Sequence, residues 1–340
     1  MMKLYCGVDL HSNNGVYAVT DVKDRAVFQK RLPNDLETVL AALEPYREEL
    51  EAVAVESTYN WYWLVDGLAE RGYPVKLANP AAIEQYDGLK DANDKTDALF
   101  LAHLSRLDIL PTGYIYPKEQ RSIRDLLRRR MSLVQQRTAL ILSVQNMFLR
   151  HTGSSLSWRK MSKILPEDLA QLLGNDEFLL FTARQQLRLI RVFCESISML
   201  EEKALSALDL TIEYQNLLTM PGVGMILALT IMLETGEINR FPNVGNYTSY
   251  CRCARATHTS NGKKKGDHNS KCGNPYLSWA YVEAVHHALR TCVPARKWYD
   301  RKKAKKNGAL ATKALASKWS KAGFYIMKNQ GPFDLSKVFG

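Results

Sequence analysis

An α/β domain on a mixed sheet, followed by a mainly helical remainder, is the architecture this sequence predicts. Three observations carry that expectation. The first hundred residues alternate short apolar runs with amphipathic stretches. Residues 117–150 hold helical apolar spacing with no glycine and no internal proline. From 210 onward, helical segments are separated by a Pro-Gly-Val-Gly turn and a lysine-rich loop.

The elements follow in order. KLYCGVDL (3–10) reads as a buried strand, HSNN as a turn, VYAVTD (16–21) as a second strand and AVFQKRL (26–32) as a third. Short connections make these an antiparallel meander. LETVLAALEPY (36–46) is an amphipathic helix and EAVAVES (51–57) a short apolar strand. NWYWLVDGLAERG (60–72) reads as a helix stopped by Gly72, YPVKLAN (73–79) as a strand, and DANDKTDALFLA (91–102) opens another helix. Three strands followed by helix–strand–helix–strand–helix is the element order of a ribonuclease-H-like fold.

In 117–150 the apolar positions include Leu126, Leu127, Leu133, Leu140 and Leu142, and a second helical stretch occupies 176–206. Such a pair forms either a helical hairpin or coiled-coil arm, or two packed core helices. In LLTMPGVGMILALTIMLETG (217–236) the turn between two helices resembles a helix-hairpin-helix, with Gly222 and Gly224 letting backbone N–H groups approach a phosphate. The same turn also joins helices that bind nothing. The expected domains are 1–116, 117–208 and 209–340, the last mostly helical.

Composition narrows the function classes. With 46% hydrophobic and 24% charged residues over 340 positions, the chain is globular rather than disordered. Its net charge of +11 favours an anionic polymer as partner, and the excess is concentrated late, in KKK (263–265) and RKKAKK (301–306). Cysteines 6, 194, 251, 253, 272 and 292 have no framework spacing, so reduced thiols and a cytoplasmic location are expected. MMKLYCGVDL lacks a secretory apolar region, and MILALTIML (225–233) is too short to span a bilayer. Cys251, Cys253 and Cys272 with His258 or His268 match no paired zinc pattern, so structural zinc is not expected. His286 and His287 fall in a helix as surface or phosphate-contacting residues.

Four acids stand apart. Asp9 ends the apolar run of the first strand and Glu56 ends that of the fourth. A carboxylate there is poorly solvated without a partner. Neighbouring strands would set the two side by side. Asp94 and Asp97, three apart at a helix start, would face the same way. Taken singly, each is explained by capping or exposure. Together they would repel unless cations neutralise them, and hard oxygen ligands suit Mg²⁺ or Mn²⁺ in phosphoryl displacement. The sugar-kinase and actin-like ATPase group also opens on a glycine–x–aspartate strand, but HSNNG offers one glycine and no second phosphate loop follows.

The loop in residues 247–290 sets Ser260 before Asn261-Gly262, a tight-turn dipeptide, and then Lys263, Lys264 and Lys265. A phosphodiester would settle there, with Arg252, Arg255 and Lys271 adding charge. Serine is a weak nucleophile until a base or metal activates it. By composition, this is a solvated basic hairpin that touches nucleic-acid backbone.

Six motifs in order, namely GVDLHS, AVEST, NDKTDALFLA, the long helical middle, MPGVG and SNGKKKG…SKCGNPYL, resemble the DEDD transposases of the bacterial IS-one-ten family, the IS-eleven-eleven group included. The resemblance covers nearly the whole chain. It implies a RuvC-like N-terminal domain and a separate C-terminal transposase domain. It also implies that Asp9, Glu56, Asp94 and Asp97 bind the metal and that Ser260 is the nucleophile, joined covalently to a DNA strand before exchange through a Holliday junction. Further implications are donor and target DNA as substrates, a structured bridge RNA as guide, a homo-oligomer, and a bacterial, nucleoid-associated location. The chain departs from the family pattern at Asn261-Gly262, where a glycine pair is common, at CRCARAT before the serine, and at Pro275-Tyr276-Leu277, where a leucine–arginine pair is displaced. Two other readings use the same residues: a RuvC-type nuclease that uses water, and a nucleic-acid-binding protein whose acids are structural.

Overall fold

Side-chain size along the first strands decides how the first unit is layered. The computed structural model describes residues 3–83, 94–207, 211–254, 257–261, 263–267 and 272–339. Its contacts divide the chain into two units, Met1–Ile115 and Tyr116–Gly340.

In the first unit, β1 (Leu4–Leu10), β2 (Asn14–Thr20) and β3 (Ala26–Pro33) form the antiparallel meander. Helix α1 (Leu36–Leu43), capped by Asp35 through the Thr38 amide, leads to β4 (Leu50–Glu56). Helix α2 (Tyr62–Glu70) then leads to β5 (Val75–Ala78) and later α3 (Asp94–Arg106). The strand order is β3-β2-β1-β4-β5, with β1–β4 and β4–β5 parallel. The sheet is therefore mixed and five-stranded, as the element order predicts.

The two faces differ in bulk. Cys6, Val8, Leu10, Tyr17, Val19, Val53, Val55 and Leu77 pack with Val39, Leu43, Leu64 and Leu68 of α1 and α2. The opposite face carries Gly7, Ala18, Ala54 and Ala78, and there α3 lies down. Ala98 packs on Val16 and Ala18, while Leu101 packs on Ala54 and Ala78. A Cβ on Gly7 would stand 1.9 Å from the Ala98 carbonyl oxygen and 2.7 Å from the Ala102 nitrogen. The far end of α3 is held by Asp24, which accepts from Arg106 Nε at 2.7 Å and Nη2 at 2.6 Å and lies 2.9 Å from His103 Nδ1. Asp24 follows β2, near the start of β1 in register, so α3 runs antiparallel to β1. Its first turn arrives beside the end of β1.

Gly7→Ala should therefore push α3 off the sheet. The expected cost is about 1–3 kcal/mol of stability, the usual range for overpacking against backbone that cannot yield. Thermal unfolding measures it, and an unchanged midpoint would mean that α3 does not rest on Gly7.

The second unit begins with α4 (Lys118–Thr152), ended by Gly153 at φ +69°. The short α5 (Trp158–Met161) and α6 (Leu169–Leu173) lead to α7 (Glu177–Ser206), which Asp176 caps. Val144 and Phe148 of α4 share a core with Leu180, Ala183, Leu187 and Ile190 of α7. Leu127 and Ala204, at the other ends of the same helices, belong to a different core. The pair thus combines both sequence-based alternatives: its root is packed in a larger core, and the rest is a helical hairpin with a core of its own.

That larger core is built by α8 (Ile212–Leu218), α9 (Met225–Thr235), α10 (Val244–Tyr250), α11 (Pro275–Thr291), α12 (Val293–Lys305), α13 (Gly308–Asn329) and α14 (Leu335–Phe339). Leu217, Leu229, Tyr247, Tyr281, Trp319 and Phe324 fill it. Between α10 and α11 stands a hairpin of β6 (Thr257–Ser260) and β7 (Lys263–Asp267). Among the described residues, no helix is long and apolar enough to cross a membrane.

Candidate metal and nucleic-acid sites

Strand period places Asp9 two residues beyond Gly7, and Glu56 two residues beyond Ala54, on the face that α3 covers. Gly7 pairs with Ala54 and Val8 with Val55, so the two acids come next in the same parallel register. Asp9 is 5% exposed. The first turn of α3 then brings Asp94 and Asp97 to the same corner. The sequence-predicted acids meet.

His11, which sequence reasoning missed inside GVDLHS, sits among them. Its Nε2 lies 3.4 Å from Asp9 Oδ2 and 3.2 Å from Asp94 Oδ2. Its carbonyl oxygen accepts from Asn34 Nδ2 at 3.0 Å and Asn60 Nδ2 at 2.9 Å, which fixes the turn. A signal for it exists: residue 11 is two beyond residue 9, the same strand period that aligns Asp9 with Gly7. Arg31 of β3 donates Nη2 to Asp94 and, at 2.6 Å, Nη1 to Asn14 Oδ1.

Electrostatics divides the acids. Asp94 is held below the ordinary carboxylate value, chiefly by the Arg31 hydrogen bond and also by His11. Burial raises Asp97, and the charges of Asp9 and Asp94 raise it further. Glu56 is pushed up to about 7, first by burial, then by its hydrogen bond to Asp9 and the charges of Asp9 and Asp97. Two raised carboxyls beside a buried third are short of positive charge, and all offer hard oxygen. Asp9, His11 and Asp94 each offer a ligand atom within 4.8 Å of the others, with Glu56 bonded to Asp9. The residues fit a divalent cation.

A pH dependence follows from Glu56. Its folded value lies above its ordinary 4.5, so the folded chain keeps a proton that the unfolded chain has released. The resulting stabilisation is complete below 4.5 and is lost as pH rises through about 7. Cation binding releases that proton. Mg²⁺ should therefore raise the unfolding temperature more at about pH 8 than at about pH 5.5. Thermal melts with and without Mg²⁺ at both pH values measure this, and equal shifts would remove Glu56 from the cation site.

In the second unit, Ser260 pairs with Lys263 and Thr257 with Asp267. Asn261 takes the left-handed conformation at φ +51°, which asparagine tolerates in a tight turn. Lys263 is exposed. The side chains of Ser260, Lys264 and Lys265, and all of Arg255, Gly262, His268 and Lys271, lie outside the described residues. Arg252, also left-handed at φ +54°, donates Nε to the carbonyls of Cys272 at 3.0 Å and Gly273 at 3.2 Å, so it braces the loop.

The two turn glycines separate. A Cβ on Gly222 would lie 2.1 Å from the Ala284 carbonyl oxygen and 2.5 Å from the Ala288 nitrogen, so that glycine serves close packing on α11. Gly224 has open space where a Cβ would be and stands at the N-cap of α9, so its backbone face is unobstructed. Cys251 and Cys253 are buried, Cys272 is exposed, and all three are free thiols. His286 and His287 are exposed on α11.

Comparison with known proteins bears on both units. Residues 6–152 match a transposase family defined by DEDD proteins of IS110 type, and residues 214–300 match the family described as transposase IS116/IS110/IS902. The transposase for insertion sequence element IS1111A of Coxiella burnetii is 24% identical over 237 residues, covering 68% of this chain and 63% of that protein. A probable family 20 transposase of Pseudomonas aeruginosa is 22% identical over 247 residues, 71% of this chain and 72% of its own length. An uncharacterized IS110 insertion-element protein of Streptomyces coelicolor is 30% identical over 99 residues, 29% of this chain and 24% of that protein. The acid-bearing sheet and the hairpin-bearing helical unit thus fall in one family twice over, and the chain belongs to the IS110/IS116 family of transposases.

Proposed function

We propose that the chain is an RNA-guided DNA transposase with two sites: a Mg²⁺ or Mn²⁺ site at Asp9, Glu56, Asp94 and Asp97 on a ribonuclease-H-like, RuvC-like sheet, and a serine nucleophile, Ser260, in the basic hairpin. One observation carries the reading most. Acids from β1, β4 and α3 converge on one corner, and the small residues beneath α3 let them meet. A structural role would not require carboxyls crowded until two of them hold protons above their ordinary range.

Asp9, Glu56, Asp94 and Asp97 would hold the ion, with His11 against Asp9 and Asp94. When bound there, the ion's chemistry is polarisation of the phosphodiester and stabilisation of the leaving oxygen. Ser260 Oγ forms a bond to phosphorus, its proton passing to a base, while the deoxyribose oxygen leaves and takes up a proton. The reverse exchange onto another strand restores a phosphodiester. Lys263, Lys264, Lys265 and Gly224 contact phosphates, which gives affinity without base reading. Sequence choice then falls to a structured guide RNA paired with donor and target DNA. A homo-oligomer in the bacterial cytoplasm would hold the two DNA partners together.

The test incubates protein, guide RNA and end-labelled DNA with Mg²⁺, then denatures the mixture. DNA joined to protein supports the serine route. Free cut ends would point to a water-using nuclease, and intact DNA to a binder whose acids are structural.

A further inference from the structure

The segment that carries Ser260 lies between α10, which ends at Tyr250, and α11, which begins at Pro275. Its two stems are cross-tied there. The Asn274 backbone amide donates to the Tyr250 carbonyl at 2.6 Å, and Arg252 Nε donates to the carbonyls of Cys272 at 3.0 Å and Gly273 at 3.2 Å. Gly273 must be glycine: it sits at φ +86°, and a Cβ would be 2.6 Å from the Tyr250 carbonyl oxygen.

Beneath this crossing lies a buried charge. Glu234, at the end of α9, is 2% exposed. It accepts from Arg128 at both carboxylate oxygens, Nε to Oε1 at 2.5 Å and Nη2 to Oε2 at 2.7 Å. Asn274 Nδ2 donates to the same Oε2 at 2.7 Å. The Glu234 carbonyl oxygen accepts from the Tyr116 hydroxyl at 2.7 Å, which lies 3.0 Å from the Tyr250 hydroxyl. The Arg128 guanidinium stacks 4.4 Å over the Tyr276 ring. Asn274 also caps α11, because its Oδ1 accepts from the amides of Tyr276 and Leu277. One side chain thus joins a fixed ion pair, the start of α11 and the exit stem of the hairpin.

A buried carboxylate that accepts three hydrogen bonds is an unusual choice for stability alone, since an apolar side chain serves a core as well. Its directional bonds fix orientation instead. We propose that Glu234 and Asn274 are positioning residues, which set the angle at which the β6–β7 hairpin presents Ser260; this rests on Ser260 being the nucleophile. Misplacing a reacting atom by about 1 Å slows chemistry on the order of 10²-fold.

Asn274→Ser separates the two roles of Asn274. Serine still caps α11 but has no amide for Glu234. Hydrogen exchange of the 257–267 amides should accelerate several-fold, with α9 and α11 unchanged. Covalent adduct formation should slow on the order of 10²-fold at unchanged DNA affinity. Gly273→Ala disturbs the same crossing through a different contact and gives a second route should the first variant not fold. If neither variant changes exchange in the hairpin, the proposal is overturned. It is equally overturned if α9 and α11 loosen together with the hairpin, since that marks a general structural role. Faster hairpin exchange in a protein whose wild type forms no adduct would keep the clamp and discard the serine route.

Discussion

Asp9→Asn should abolish strand cleavage and exchange, by on the order of 10³-fold or more, while DNA and RNA binding persist. The change keeps size and shape and removes one charge, so it isolates what the charge does. Asp9 is buried at the strand end and faces Glu56, His11 and the start of α3. In the absence of a cation its charge is a liability, because it helps to raise Glu56 and Asp97. Removing it should therefore leave the metal-free protein at least as stable as wild type. The Mg²⁺-induced rise in unfolding temperature should disappear with the activity. Stability retained while cation response and cleavage are both lost is the pattern of a functional acid, whose charge destabilises the fold that keeps it. A variant that unfolds, or one that still responds to Mg²⁺ and cleaves, would make Asp9 structural.

Ser260→Ala should eliminate the protein–DNA adduct on a denaturing gel. The hydroxyl is the only group removed, in a strand end paired with Lys263, so the hairpin and its lysines remain. DNA binding and the cation response should be unaffected, which distinguishes this variant from Asp9→Asn. Free cut ends without an adduct in wild type and variant alike would transfer the attack to water. An undiminished adduct in the variant would place the nucleophile on another side chain.

These two variants probe residues that the sequence makes legible to different degrees. Asp9 and Glu56 stand out because each ends an apolar run, where a charge needs a reason. Ser260 stands out only through its neighbours, since a serine before Asn-Gly and three lysines is ordinary surface chemistry. His11 is legible in principle by strand period but is obscured by the turn that follows it. Glu234 and Asn274 are not legible at all. They are 40 residues apart. Nothing in LETG or CGNPY shows that one side chain will accept the other's amide.

The two glycines of the Pro-Gly-Val-Gly turn make the same point. Both read as open backbone for a phosphate, yet Gly222 is packed against α11 and only Gly224 keeps an open face. A motif shows that a side chain is missing, and the packing shows what fills the space.

What the sequence determined by itself is periodic and local: strands by alternation, helices by spacing and caps, a basic surface by composition, and acids at the strand ends. Those properties depend on residues a few positions apart, whose geometry the backbone repeats everywhere. Tertiary structure alone decided which acids share a corner, because that depends on parallel pairing of β1 with β4 and on α3 lying flat over Gly7. It alone joined a buried ion pair to Asn274 at the start of α11. Both are contacts across long loops, and their energies exist only once the chain has closed those loops and excluded water from the groups that meet.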